Sequence, residues 1–169
     1  MHLKRWITGL CALPFLILLV YLGGIYFVFL VSIACVCSLW EYFRIVFNAD
    51  RRMMHNAVTF WGYLISIVIL IAAHIAGPAS ILGLIALNLI LAGVLSVFIY
   101  KANPAVVEII QKQVLGTVYI PLSLALLVLI RNEPGGMTWI FLFLAVIVAG
   151  DICAFSVGSC LGRHKLSPA

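Results

Sequence analysis

From Ala79 to Tyr100 the chain carries no charged side chain, and this run is one of several like it. A helix rises about 1.5 Å per residue, so about 20 apolar residues span the roughly 30 Å hydrocarbon core of a bilayer. Continuous runs of that length leave few options. A buried strand is much shorter, and a membrane β-barrel would show short alternating segments instead. Composition points the same way. Of 169 residues, 66% are hydrophobic and 9% charged, where a soluble domain has about 45–50% and about 25%. Mean hydropathy is +1.26. So much apolar surface cannot be hidden in one core of this size, so the solvent must be lipid. The expected fold is all-α: a polytopic transmembrane bundle of about six spans, forming a single domain over residues 1–169.

The spans follow from the pattern of apolar runs and breaks. Met1 to Arg5 and the apolar run from Trp6 to Leu22 resemble a signal peptide, but no small-residue cleavage site follows. The segment is therefore read as a first span, with a kink at Pro14. Gly23-Gly24 is a short turn. A second span runs from Ile25 to about Phe47, and a third from about Ala57 to Ile75. Gly77-Pro78 breaks the third, and a fourth runs from Ala79 to Tyr100. Lys101 to Gln113 is more polar. It reads as a short helix at the membrane surface, capped at Asn103-Pro104, or as an ordinary loop. A fifth span runs from Val114 to Ile130 and a sixth from Met137 to about Leu161, separated by the turn Arg131 to Gly136.

The net charge of +5 would suggest nucleic acid in a soluble protein, but here the basic residues sort by loop. With a cytoplasmic N-terminus, the inside holds Lys4, Arg5, Arg44, Arg51, Arg52, Lys101, Lys112, Arg163 and Lys165, and the outside holds Arg131 alone. That bias places both termini in the cytoplasm and argues against a nucleic-acid partner. The cysteines at 11, 35, 37, 153 and 160 lie in apolar stretches without zinc spacing and read as packing residues.

Few residues can carry chemistry. Asp151 sits within the sixth span, where an ionised carboxylate costs about 2.5–3.5 kcal/mol at the centre. It must be paired, cation-bound or turned to water, so it reads as a metal or proton site, or else as the structural partner of another inward polar group. Glu41, three residues before Arg44, suits a local ion pair. His74 has no evident partner in the sequence. Gly158 to Gly162 is a Gly-x-x-x-Gly match that usually means close helix packing. The run Arg163-His164-Lys165 follows it directly, and such cations at a membrane surface suit phosphate, although they also serve as inside anchors.

The stretch Asp151-x-x-Ala154-Phe155-x-x-Gly158-x-x-x-Gly162-Arg163-His164-Lys165-Leu166-Ser167-Pro168 resembles the central motif of the phosphatidate cytidylyltransferases, the CDP-diacylglycerol synthases. Leu3-Lys4-Arg5, Trp40-Glu41-Tyr42-Phe43 and Gly116-Thr117-Val118-Tyr119-Ile120-Pro121 are similar to earlier parts of that family, in the same order. There are departures. Cys153 stands where the family has glycine and Ile152 where it has serine or threonine. The family's following Ser-Pro-x-Lys-Thr motif and its carboxylate-rich C-terminal signature are not in this sequence. The chain thus resembles the first three-fifths of such an enzyme.

The resemblance implies a transferase of phospholipid biosynthesis that joins CTP to phosphatidate with magnesium. It places Asp151 at the metal centre as the catalytic residue, and Arg163, His164 and Lys165 on the phosphates. It also implies a bacterial inner-membrane location. Two other readings stand beside it. One is a non-catalytic membrane subunit whose missing half comes from a partner chain or a second copy. The other is a small transporter that uses Asp151, although no repeat of the kind transporters show is evident.

Overall fold

The computed structural model describes residues 14–47, 57–101 and 106–161, with side chains described through Gly158. Every regular element among them is a helix. Helix α1 covers residues 14–22, followed by α2 (Gly24–Val46), α3 (Ala57–Ile75), α4 (Pro78–Tyr100), α5 (Val106–Asn132) and α6 (Gly136–Leu161). Helices α2 to α6 are each long and apolar enough to cross a membrane. The start of the first span, before Pro14, lies outside the described residues.

The breaks at Gly23, at Gly77-Pro78 and after Asn132 are where the sequence places them. Between α1 and α2 the chain turns at Gly23, whose φ of 64° is reached by glycine without steric cost. Pro78 opens α4 at its first turn, where its missing N–H costs nothing.

The fifth span differs from the expectation. Among the described residues there is no separate surface helix before it: α5 runs unbroken from Val106 to Asn132, and the expected cap at Asn103-Pro104 lies outside them. The reason lies in one helical face. Val106, Ile109, Ile110 and Gln113 are buried on the same side as Gly116, Thr117, Pro121, Ala125 and Val128. The polar residues interleaved among them occupy the other side. Glu108 pairs with Lys112 one turn on, at 2.6 Å. Alternation of polar and apolar residues thus marks the amphipathic first turns of a long span, and no break is needed.

Helix α5 is the hub of the bundle and packs against α2, α3, α4 and α6. The core beneath it is built from Val28, Cys35, Leu39 and Phe43 of α2, Ile65, Ile69 and Leu70 of α3, and Ala125 and Val128 of α5. Cys35 is buried and Cys37 exposed, as opposite faces of one helix require.

Polar contacts sort the helix ends into two groups. At the first end, Lys112 near the start of α5 donates from Nζ to the Val46 carbonyl at the end of α2, at 3.1 Å. At the second end, Arg131 donates from Nε to Val20 O at 2.9 Å and from a terminal nitrogen to Tyr21 O at 3.1 Å, covering carbonyls at the close of α1. His74 Nδ1 lies 3.2 Å from Asn132 Oδ1, and Asn132 Nδ2 donates back to His74 O at 3.3 Å. His74 therefore has a partner 58 residues away. Glu41 and Arg44, by contrast, form no ion pair in the structure. The Arg44 guanidinium lies over the Trp40 ring instead, 5.3 Å from its centroid.

Candidate functional site

Two polar features interrupt this apolar bundle. The first is a buried seam joining α3, α4 and α5. Asn88 is the only strongly polar side chain in the middle of α4, and it is fully buried. Its Oδ1 accepts from Trp61 Nε1 at 3.1 Å and from Gln113 Nε2 at 3.3 Å. Gln113 Nε2 also reaches Thr117 Oγ1 at 3.0 Å, and that hydroxyl donates to Gln113 O at 2.9 Å. Four residues on three helices thus share one network. Its one open valence among the described residues is Asn88 Nδ2, which is buried and has no partner. In lipid an unpaired buried donor has no water to turn to.

The second feature is Asp151. It lies about 22 Å along α6 from Gly136, at 1.5 Å per residue. Since α6 sets off from the second end of the bundle, this carries Asp151 toward the first. There α6 has left its neighbours: every side chain from Ala145 to Gly158 is exposed. No hydrogen bond or ion pair to Asp151 is found among the described residues. The inward-facing, partnered carboxylate that an isolated helix would demand is not what the fold shows. Asp151 stands on an open flank, available to groups that approach α6 from outside the described bundle.

Arg163, His164 and Lys165 lie outside the described residues. The structure therefore places one of the four expected site residues and brings none of the others to it. Among the described residues no group of three His, Cys, Asp or Glu side chains could hold a metal ion. One carboxylate does not make a magnesium site, so Asp151 does not hold that metal with the described residues alone.

The structure does join two stretches far apart in sequence. Tyr42, in Trp40-Glu41-Tyr42-Phe43, donates from its hydroxyl to Lys112 O at 2.9 Å. Its ring packs against Gly116, where a Cβ would stand 2.6 Å from Tyr42 Cε1. The helices approach this closely because residue 116 has no side chain. One turn further, Pro121 has no N–H to offer the Thr117 carbonyl, so a main-chain acceptor is freed beside the seam.

The model of the cytidylyltransferase family matches residues 3–169. The chain belongs to the cytidylyltransferase family. No curated protein and no solved structure matches it. Membership in this family makes the chain a membrane-embedded relative of CTP-using nucleotidyltransferases. The Tyr42–Gly116 contact makes the stretches holding Tyr42 and Gly116 the two sides of one helix crossing.

Sequence reasoning missed the seam. The signal was present in Asn88, an amide in the middle of a run free of charge, and in Gln113 and Thr117 spaced one turn apart. Each residue taken alone is unremarkable. Their meeting depends on how α4 rotates against α3 and α5.

Proposed function

We propose that this cytidylyltransferase-family chain is a phosphatidate cytidylyltransferase homologue, converting CTP and phosphatidate to CDP-diacylglycerol and pyrophosphate in phospholipid synthesis. The observation that carries the reading is the family match over residues 3–169, on a chain whose α6 presents Asp151 twelve residues before the run Arg163-His164-Lys165. In the reaction a phosphate oxygen of phosphatidate forms a bond to the α-phosphorus of CTP. The bond between that phosphorus and the oxygen bridging to the β-phosphate breaks, and pyrophosphate leaves with the electron pair.

Little covalent work falls to the protein. The task is to hold two anions together and to offset the charge that develops. Arg163 and Lys165 suit the phosphates, and His164 suits a hydrogen bond to them. Asp151 serves as one ligand in a magnesium site whose other ligands come from beyond the described bundle. When bound, the metal neutralises phosphate charge. The bias of basic residues along the sequence, by the positive-inside rule, supports a site facing the cytoplasm, where CTP is found, and the membrane we propose is a bacterial inner membrane.

A second reading is favoured by the bareness of α6. A flank exposed from Ala145 to Gly158 with a carboxylate on it suits a subunit that needs a partner, whether a second copy or another chain, to complete the site. One assay separates the two. The protein is purified in nanodiscs containing phosphatidate and given CTP labelled at the α-phosphate with Mg²⁺. Labelled CDP-lipid is the expected product. If none forms from the chain alone but it does form when a second family member that makes none by itself is added, the subunit reading holds. If neither yields product, both fail.

A further inference from the structure

Helices α5 and α6 form a hairpin that is closed at its base and open above it. At the base lies a groove of about 570 Å³, lined by Leu127 and Ile130 of α5 and by Trp139, Ile140 and Phe143 of α6, among others. Ile140 is buried, and α5 is the helix against which α6 packs. Each wall continues as a stripe of residues three and four apart, which share one side of a helix. On α5 the stripe runs back from Ile130 through Leu126 and Ser123 to Tyr119. On α6 it runs on from Ile140 through Leu144 and Ile147 to Asp151. At 1.5 Å per residue, Tyr119 lies about 20 Å from Asn132 and Asp151 about 22 Å from Gly136. The two therefore stand at one level of the membrane, on stripes that meet at the base of the hairpin.

Tyr119 is also unusual in itself. It is the central residue of the 27-residue α5, about 20 Å from either end, so it is not a tyrosine of the interfacial belt. It is 73% exposed, and its hydroxyl makes no hydrogen bond among the described residues. Ser123, the other polar residue of the stripe, is already engaged: its Oγ donates to Tyr119 O at 2.7 Å. A hydroxyl donor and a carboxylate acceptor, each costly alone in lipid, thus border the same opening.

We propose that Tyr119 is a positioning residue for Asp151, its hydroxyl donating to the carboxylate across the α5–α6 cleft and fixing its orientation. The cleft is open in this structure and no bond joins the two. At the ordinary distance between packed helix axes, about 8–10 Å, a tyrosine on one helix reaches an aspartate on the next. The catalytic part of this inference rests on the proposed reaction, whereas the pairing does not.

Two measurements test it. In nanodiscs, with the cysteines at 11, 35, 37, 153 and 160 replaced by alanine, Tyr119→Cys is combined with Asp151→Cys or with Ala149→Cys, which lies on the other side of α6 at the same level. A short bis-maleimide should crosslink the first pair about tenfold faster, through the higher effective concentration of facing thiols. Equal rates overturn the pairing. In the CDP-lipid assay, Tyr119→Phe should lower kcat about 10–100-fold, as loss of a group that orients a metal ligand does. The KM for CTP and the thermal midpoint should stay at wild-type values. Added to Asp151→Asn, Tyr119→Phe should cost nothing more, because the hydroxyl acts through the carboxylate. Full kcat in Tyr119→Phe, or the same further loss on top of Asp151→Asn, overturns the positioning role. If the wild-type protein makes no CDP-lipid, the proposed reaction has failed, and crosslinking alone decides whether the pair exists.

Discussion

Helices α5 and α6 are both long, both apolar and adjacent in sequence, yet they are used in opposite ways. Helix α5 buries a residue at nearly every turn from Val106 to Val128. Helix α6 buries Ile140 near its start and nothing from Ala145 to Gly158. The difference is not one of hydrophobicity, since lipid satisfies an apolar side chain as well as another helix does. It lies in small and polar residues. Gly116 lets α5 approach Tyr42, while Gln113 and Thr117 bind it to α3 and α4. Helix α6 has a glycine at 150 and another at 158, but neither has anything within 4 Å of where a Cβ would stand. Its means of packing are present and unused. The hub holds the bundle together, and the bare helix carries the carboxylate.

The largest effect is expected at Asp151. If α6 serves chemistry and not stability, Asp151→Asn should lower CDP-lipid formation on the order of 100-fold, as loss of one charge-stabilising group does. Its thermal midpoint should stay at the wild-type value, because no contact within the bundle is lost. A fall in midpoint with activity intact would reverse the assignment.

Overpacking tests the hub. Gly116→Leu drives a side chain into the Tyr42 ring and should cost about 1–3 kcal/mol, read as a lower midpoint in detergent. Gly150→Leu on α6 should cost almost nothing. Equal effects would mean that the two helices are not distinct.

A smaller effect sharpens the role of the seam. A double-mutant cycle of Asn88→Leu and Gln113→Leu should give a coupling of about 0.6 kcal/mol, with about 1.7 as the upper end for hydrogen bonds inside membranes. Coupling near zero would mean that the network does not hold α4 to α5. The smallest change is expected for Glu108→Gln. That carboxylate is 68% exposed, and exposed pairs contribute about 0.2–1 kcal/mol at most. Lys112 keeps its bond to Val46 O, so the midpoint should hardly move and added salt should not alter the difference.

Much of the molecule is legible in the order of residues, and it is legible where local chemistry decides. Uncharged runs of membrane length become helices because no other structure satisfies the backbone in lipid. Glycine with proline at 77 and 78, and paired glycines at 23 and 24, end helices whatever surrounds them. The family, too, was readable from Asp151 through Pro168 and from three earlier stretches, since motifs are local. The pairings were less legible. Glu41 and Arg44 have the right spacing, but Trp40, one turn before Arg44, offers the guanidinium a ring face. The polar turns before Val114 look like a boundary until their buried side is seen to continue into the span.

What the sequence by itself determined is the class of solvent, the number and bounds of most spans, the family and the identity of the one carboxylate within the last helix. Only the tertiary structure decided which faces meet. It placed Asn88, Gln113 and Trp61 at one point, set Tyr42 on Gly116, gave His74 a partner and left Asp151 with none among the described residues. The physical reason is that hydrophobicity selects lipid over water but does not rank one apolar helix face above another. That choice rests on a few small and polar residues whose meaning depends on residues tens of positions away.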